Sequence, residues 1–142
     1  MRWLIPAVLC LAAAAPAPRA ADAPGGSIVY SRSDGGRFLL HVMNADGSGD
    51  RLLPGQTAQV NLFPSWSPDG KRIAFTTAPA VNAPTHGVAL INADGTGLVD
   101  LPVPSMRAGL AAWSPDGKQL AFISGEEIPA VYVCGADGNG QR

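Results

Sequence analysis

The chain has 142 residues, 46% of them hydrophobic and 15% charged, with a formal net charge of −1. One ordinary domain fits that length, and near-neutral charge gives no electrostatic basis for binding nucleic acid or an anionic membrane surface. Seventeen glycines and thirteen prolines exclude a helical bundle and suit many short strands joined by tight turns.

Residues 1–21 read as an export signal peptide. Arg2 supplies a positive start, Trp3 to Ala15 form an apolar run broken only by Pro6, and small residues then offer cleavage after Ala20 or Ala21. The run is shorter than the roughly 20 residues a bilayer span needs, so an uncleaved anchor is the weaker reading and no membrane span is expected after cleavage. Leu9 precedes Cys10 where a lipobox requires a small residue, which sets a lipoprotein aside. Cleavage would leave Cys134 as the lone thiol, with no intramolecular disulfide possible. No His, Lys or Arg adjoins it in sequence, so it reads as a small buried hydrophobe.

Along the remaining chain, alternating and continuous apolar runs predict strands near 27–32, 38–43, 60–66, 72–77, 87–91, 107–113, 119–124 and 130–134. Short strands are expected near 50–53 and 98–101. Between them the hexapeptide Trp-Ser-Pro-Asp-Gly-Lys occurs twice, at 66–71 and 113–118. Its proline presets φ for a turn and its glycine accepts the left-handed conformation that follows, predicting a type I turn in a bulged hairpin. A second punctuation recurs as Asn44-Ala45-Asp46-Gly47, Asn92-Ala93-Asp94-Gly95 and Gly135-Ala136-Asp137-Gly138. Ile73 and Phe75 fall on one face of their strand and Ala74 on the other, so that strand is apolar on both sides and needs a neighbour on each. Pro64 suits only an edge strand, and Ala111 in the next copy means the proline itself is not repeated.

Four antiparallel strands every 43–48 residues is the spacing of a β-propeller blade. The run Pro64-Ser65-Trp66-Ser67-Pro68-Asp69-Gly70-Lys71-Arg72-Ile73-Ala74-Phe75, with the Asn-Ala-Asp-Gly segments, resembles the repeat of TolB-like propellers. The expectation is an all-β, incomplete propeller of about two and a half blades over 22–142, in pieces 27–56, 57–104 and 105–142. The first blade lacks its inner strand and the third its outer one. The resemblance implies a six-bladed ring, hence roughly 270 residues, so the chain is expected to be the N-terminal part of something longer. Apolar blade faces open at both ends, bearing Ile28, Tyr30 and Val42 on one side and Leu120, Phe122 and Val131 on the other, would favour self-association. An unpaired edge near 130–134 would add to it.

Residues that could carry chemistry are few. No Gly-x-Ser-x-Gly, His-Glu-x-x-His, paired Cys-x-x-Cys or phosphate-cradling glycine motif is present. His41 shares its repeat position with Ala89 and Tyr132 and reads as a strand side chain, not a catalytic base; His86 is unaccompanied. Glu126 and Glu127 read as a solvated loop tip. The stretch from Asn44 to Asp50 imitates a calcium loop, but its twelfth position is Gly55, and Val103 in the second copy, where a bidentate Glu is needed. No catalytic, metal or cofactor residue is therefore assigned, no cofactor is expected, and partner-contacting residues cannot be named. The resemblance implies a non-enzymatic periplasmic or secreted propeller that binds protein or peptide partners, as an envelope scaffold of the TolB sort. The alternative is the propeller of a prolyl-oligopeptidase-like serine peptidase whose catalytic domain lies outside this chain. A propeller enzyme acting on carbohydrate is a third reading that no residue supports.

Overall fold

The repeated hexapeptide closes its hairpin with its own side chains. Gly70 N–H donates to Ser67 O at 2.9 Å, and Ser67 N–H to Arg72 O at 2.8 Å. The Ser67 hydroxyl donates to Asp69 Oδ1 at 2.6 Å and accepts from Arg72 N–H at 2.9 Å, while Lys71 N–H donates to the same carboxylate oxygen. Ser114, Asp116, Lys118 and Gln119 repeat every one of these bonds. Gly70 and Gly117 take φ of 67° and 69°, where a side chain would be strained. Serine, aspartate and glycine are thus each required at their place, which accounts for the letter-for-letter recurrence.

A computed structural model describes residues 26–142. The expected signal segment and its cleavage point lie outside the described residues. Ten strands follow: β1 (Ser27–Asp34), β2 (Arg37–Asn44), β3 (Arg51–Leu52), β4 (Val60–Trp66), β5 (Arg72–Ala78), β6 (Gly87–Asn92), β7 (Val99–Asp100), β8 (Ala108–Trp113), β9 (Gln119–Ser124) and β10 (Ala130–Gly135). They form three antiparallel units, β1–β3, β4–β7 and β8–β10. Successive units touch at two matching places: Phe38 pairs in parallel with Val60, and His86 with Arg107. All ten strands stand where the sequence places them, and no helix occurs among the described residues.

The cores lie between units. Leu40 and Val42 of the first unit pack against Ile73, Phe75, Ala89 and Ile91 of the second. The other side of the second unit, with Ala74, Val88 and Leu90, packs against Leu120, Phe122 and Cys134 of the third. β5 therefore buries both faces, as its composition requires. At roughly 25 cal/mol per Å² of apolar surface, this face-to-face burial is the main favourable term in the fold.

Two expectations about the ends are corrected. Val42 is 3% exposed, and Leu120 and Phe122 are at most 1% exposed, because all three point inward between units. Val42 lies opposite Val29 and shares its face, one residue out of phase with Tyr30 and His41. The outward faces carry Ile28 and Tyr30 at one end, and Ile123 and Val131 at the other. The edge of β10 is also partly covered, since Val133 and Arg142 exchange two backbone hydrogen bonds of 3.0 Å.

Candidate interaction surfaces

Alternating strand direction sends the Ser-Pro-Asp-Gly and Asp-Gly turns to one end of the units and the connections 79–86, 101–107 and 125–129, with the two-residue turn Gly35-Gly36, to the other. The turn end is polar and satisfied within itself: Asp46 Oδ1 accepts from both the amide and hydroxyl of Ser48, and Asp94 does the same with Thr96. Hydrogen bonds hold Asp46, Asp69, Asp116 and Asp137 below the usual carboxylate pKa, the serine hydroxyl being the leading cause at Asp46, Asp69 and Asp116, and the Asn139 amide at Asp137. Of the carboxylates that imitated a calcium loop, Asp46 is occupied by its own turn and Asp50 by Tyr30, His41 and Arg32. No group of three or more His, Cys, Asp and Glu side chains able to hold a metal occurs among the described residues.

The loop end differs. Segments 79–86, 101–107 and 125–129 present Val81, Met106 and Ile128, the last two 67% and 86% exposed. Backbone bonds tie these loops together: His86 N–H donates to Met106 O at 2.6 Å, Ala108 N–H to His86 O at 3.0 Å, and Gly125 N–H to Arg107 O at 3.1 Å. Arg107 Nε donates to Pro84 O at 3.0 Å. His86, unaccompanied in sequence, is one of the cross-links. Glu126 and Glu127 are exposed here, as expected of a loop tip. Apolar side chains on cross-braced loops form a surface that can contact another protein without large ordering costs.

A second surface lies on β4 and β8. Both strands bulge, between Leu62 and Ser65 and between Gly109 and Ala112. At equivalent places Phe63 and Leu110 adopt φ of 52° and 56° and expose 57% and 51% of their surface. Left-handed backbone at a bulky residue is strained, and here it is paired with an apolar side chain turned to solvent. The bulge recurs where the proline does not, so Pro64 accommodates it and does not cause it.

His41 has a partner that sequence inspection missed. It is 4% exposed, and its Nδ1 lies 3.0 Å from Asp50 Oδ1. Tyr30 Oη donates to the same oxygen at 2.8 Å, and Arg32 Nη1 donates to Oδ2 at 2.6 Å. The Asp50 carboxyl is held below its usual pKa, first by the tyrosine hydroxyl and then by the His41 ring, and its hydrogen bond pushes the Tyr30 phenol up. The cluster ties β1, β2 and the approach to β3 together; burial withholds His41 from substrate. The signal was weak, because only the pairing of His41 with Leu52 shows that Asp50 must come near. Cys134 is fully buried, and burial, then the Asp137 charge, raises its thiol pKa.

Antiparallel units of up to four strands, stacked face to face through apolar cores, define an all-β, incomplete β-propeller with about two and a half blades present. The repeats are TolB-like. The chain is 40% identical over 50 residues to the Tol-Pal system protein TolB of Nitrosomonas europaea, covering 35% of this chain and 12% of that protein. It is 39% identical over 72 residues to the same-named protein of Rhizorhabdus wittichii, covering 50% and 15%. The crystal structure of TolB from Acinetobacter baumannii superposes with a TM-score of 0.66 at 16% identity, over 84% of this chain and 30% of that one. The matches thus span about an eighth to a seventh of the curated relatives' length. No protein-family model matches the chain.

Proposed function

We propose that the chain is part of an exported, non-enzymatic β-propeller that binds other proteins, a TolB-like scaffold of the cell envelope. On this reading residues 1–21 are the signal peptide, 22–142 are propeller with blade pieces 27–56, 57–104 and 105–142, and the location is periplasmic or secreted. The observation that carries it is the asymmetry of the two ends: one closed by its own polar turns, the other braced yet apolar at Val81, Met106 and Ile128. The naming of the matched relatives as Tol-Pal system proteins supports the envelope setting. Self-association through the outward faces around Ile28 and Val131 belongs to the same reading, and sedimentation of the chain checks it.

Photocrosslinking residues placed at Met106 and Ile128 should yield adducts with envelope proteins in living cells, whereas the same residues at Lys71 and Lys118 on the turn end should not. Equal labelling from both ends would defeat the reading. With the crosslinking residue at Val81 instead, paired Met106→Glu and Ile128→Glu substitutions should abolish the adducts while leaving the circular dichroism spectrum unchanged.

A further inference from the structure

Among the described residues three carry sulfur, and they differ in access. Cys134 is fully buried. Met43 is half-buried on β2. Met106 is 67% exposed on the segment 101–107, which runs from the second blade to the third. Both of those blades are described, so the exposure of Met106 is set by neighbours present on either side of it. An accessible thioether is the sulfur that peroxide reaches first.

Packing does not account for a methionine there. The preceding junction has an equivalent place, since Phe38 N–H donates to Gln59 O at 2.9 Å as His86 N–H donates to Met106 O at 2.6 Å. The pairings that follow, Phe38 with Val60 and His86 with Arg107, fix the correspondence. Gln59 is exposed too, so a polar side chain serves that backbone link equally well. At Met106 the link, with the Arg107 bond to Pro84 O beside it, displays the side chain from a braced main chain. A thioether held this way offers an adaptable apolar contact to another protein.

We propose that Met106 is an oxidation switch on the loop end: peroxide converts its thioether to the sulfoxide and the partner is released until a dithiol reduces it again. The inference rests on the loop-end reading above and deepens it by naming how that surface is regulated. In the forward step a sulfur lone pair attacks one peroxide oxygen, the O–O bond breaks and an S–O bond forms. The departing hydroxide takes the proton left on the bound oxygen and leaves as water. Sulfur loses two electrons and peroxide gains them. In the reverse step the dithiol gives up two electrons, the sulfoxide oxygen leaves as water and a disulfide remains. The change matters because it turns an apolar side chain into a polar, chiral one. Its new oxygen must lose water when a partner covers it, and an apolar surface shared with Val81 offers no donor in exchange.

The test keeps the full chain in living cells, with a photocrosslinking residue at Val81 and a brief hydrogen peroxide pulse before illumination. Peptide mass mapping should show one oxygen gained at Met106 at least about fivefold faster than at Met43, with Cys134 unchanged. Adduct yield should fall on the order of tenfold as that oxygen is gained. Met106→Leu is read as the yield after peroxide over the yield before, a ratio that should stay near unity. Met106→Gln, with a polar amide in place of the thioether, should label as poorly without peroxide as the oxidised chain does. Equal oxidation of Met43 and Met106 would overturn the proposal. So would an undiminished peroxide loss of adducts in Met106→Leu, or full labelling by Met106→Gln. Adducts absent before any peroxide would instead overturn the loop-end reading and this one with it, so the two failures are told apart.

Discussion

The junction between the second and third blades and the junction between the first and second are built on one plan and finished differently. At the later junction Arg72 lies over the Trp113 ring, 4.9 Å from its centroid, and also donates to Ala136 O at 2.8 Å. Leu110 N–H donates to Thr76 Oγ1 at 3.0 Å, and Trp113 is bonded to Ser65. At the earlier junction Ser27 stands in the place of Arg72 and is too short to cover a tryptophan. Ser31 stands in the place of Thr76, and its hydroxyl, like the Trp66 indole, is buried without a partner among the described residues. The earlier junction keeps a polar link of its own beside its apolar core, Asn61 Nδ2 donating to Phe38 O at 3.1 Å. Polar locks are added where the chain has the residues to make them.

The largest expected effect tests the shared part of the plan. Phe75→Ala and Phe122→Ala each empty one inter-blade core and should each cost about 3–5 kcal/mol by denaturant unfolding. A difference well outside that range between the two would mean that the junctions do not rest on the same packing.

A smaller effect probes a swap of bulk between them. A Cβ added at Gly109 would come within 2.9 Å of Thr76 Oγ1 and 3.1 Å of its Cγ2. In the earlier junction the equivalent pair is Leu62 and Ser31, where the methyl group is missing and a side chain can be housed. Gly109→Ala should cost about 1–3 kcal/mol by overpacking. Adding Thr76→Ser should recover part of that loss; strict additivity of the two changes would break the swap argument.

The tryptophans give a sharper but smaller contrast. Both Trp→Phe changes remove similar volume, yet only Trp113 surrenders a hydrogen bond and a cation partner. Trp113→Phe should be about 1 kcal/mol worse than Trp66→Phe in thermal or urea unfolding. Equal losses would show that the indole bond to Ser65 contributes nothing.

The smallest effect concerns the turns, which are alike at both junctions. Asp69 and Asp116 have pKa values depressed in the folded state by the Ser67 and Ser114 hydroxyls. A carboxylate lowered on folding stabilises fully above its unfolded pKa and loses that contribution as pH falls through the folded one. Stability should therefore decline below about pH 4. Asp69→Asn and Asp116→Asn should each flatten that decline to a similar degree in an acid titration of the melting temperature.

Turn chemistry and strand positions were legible in the sequence because both are local. Ser-Pro-Asp-Gly carries its own φ preferences and hydrogen-bond partners, and a strand apolar on both faces, such as 72–78, declares that it has neighbours. The loop end was not legible, since the repeat leaves 79–86, 101–107 and 125–129 unconstrained. Nor was the Tyr30–His41–Asp50–Arg32 cluster, because it joins residues across a strand pairing that no spacing rule reveals.

By itself, then, the sequence determined the all-β class, the ten strands and the repeat, through propensities and turn geometries that act within a few residues. Tertiary structure decided which face each strand residue took, which is why Val42, Leu120 and Phe122 turned inward against expectation. Facing is set by register with a partner strand, and a shift of one residue inverts it. It also decided that Phe63 and Leu110 would sit in strained backbone at a bulge, and that one of two identical tryptophans would find its carbonyl. The indole bond depends on where the preceding blade places its inner strand, 48 residues away along the chain, a distance that only packing can close.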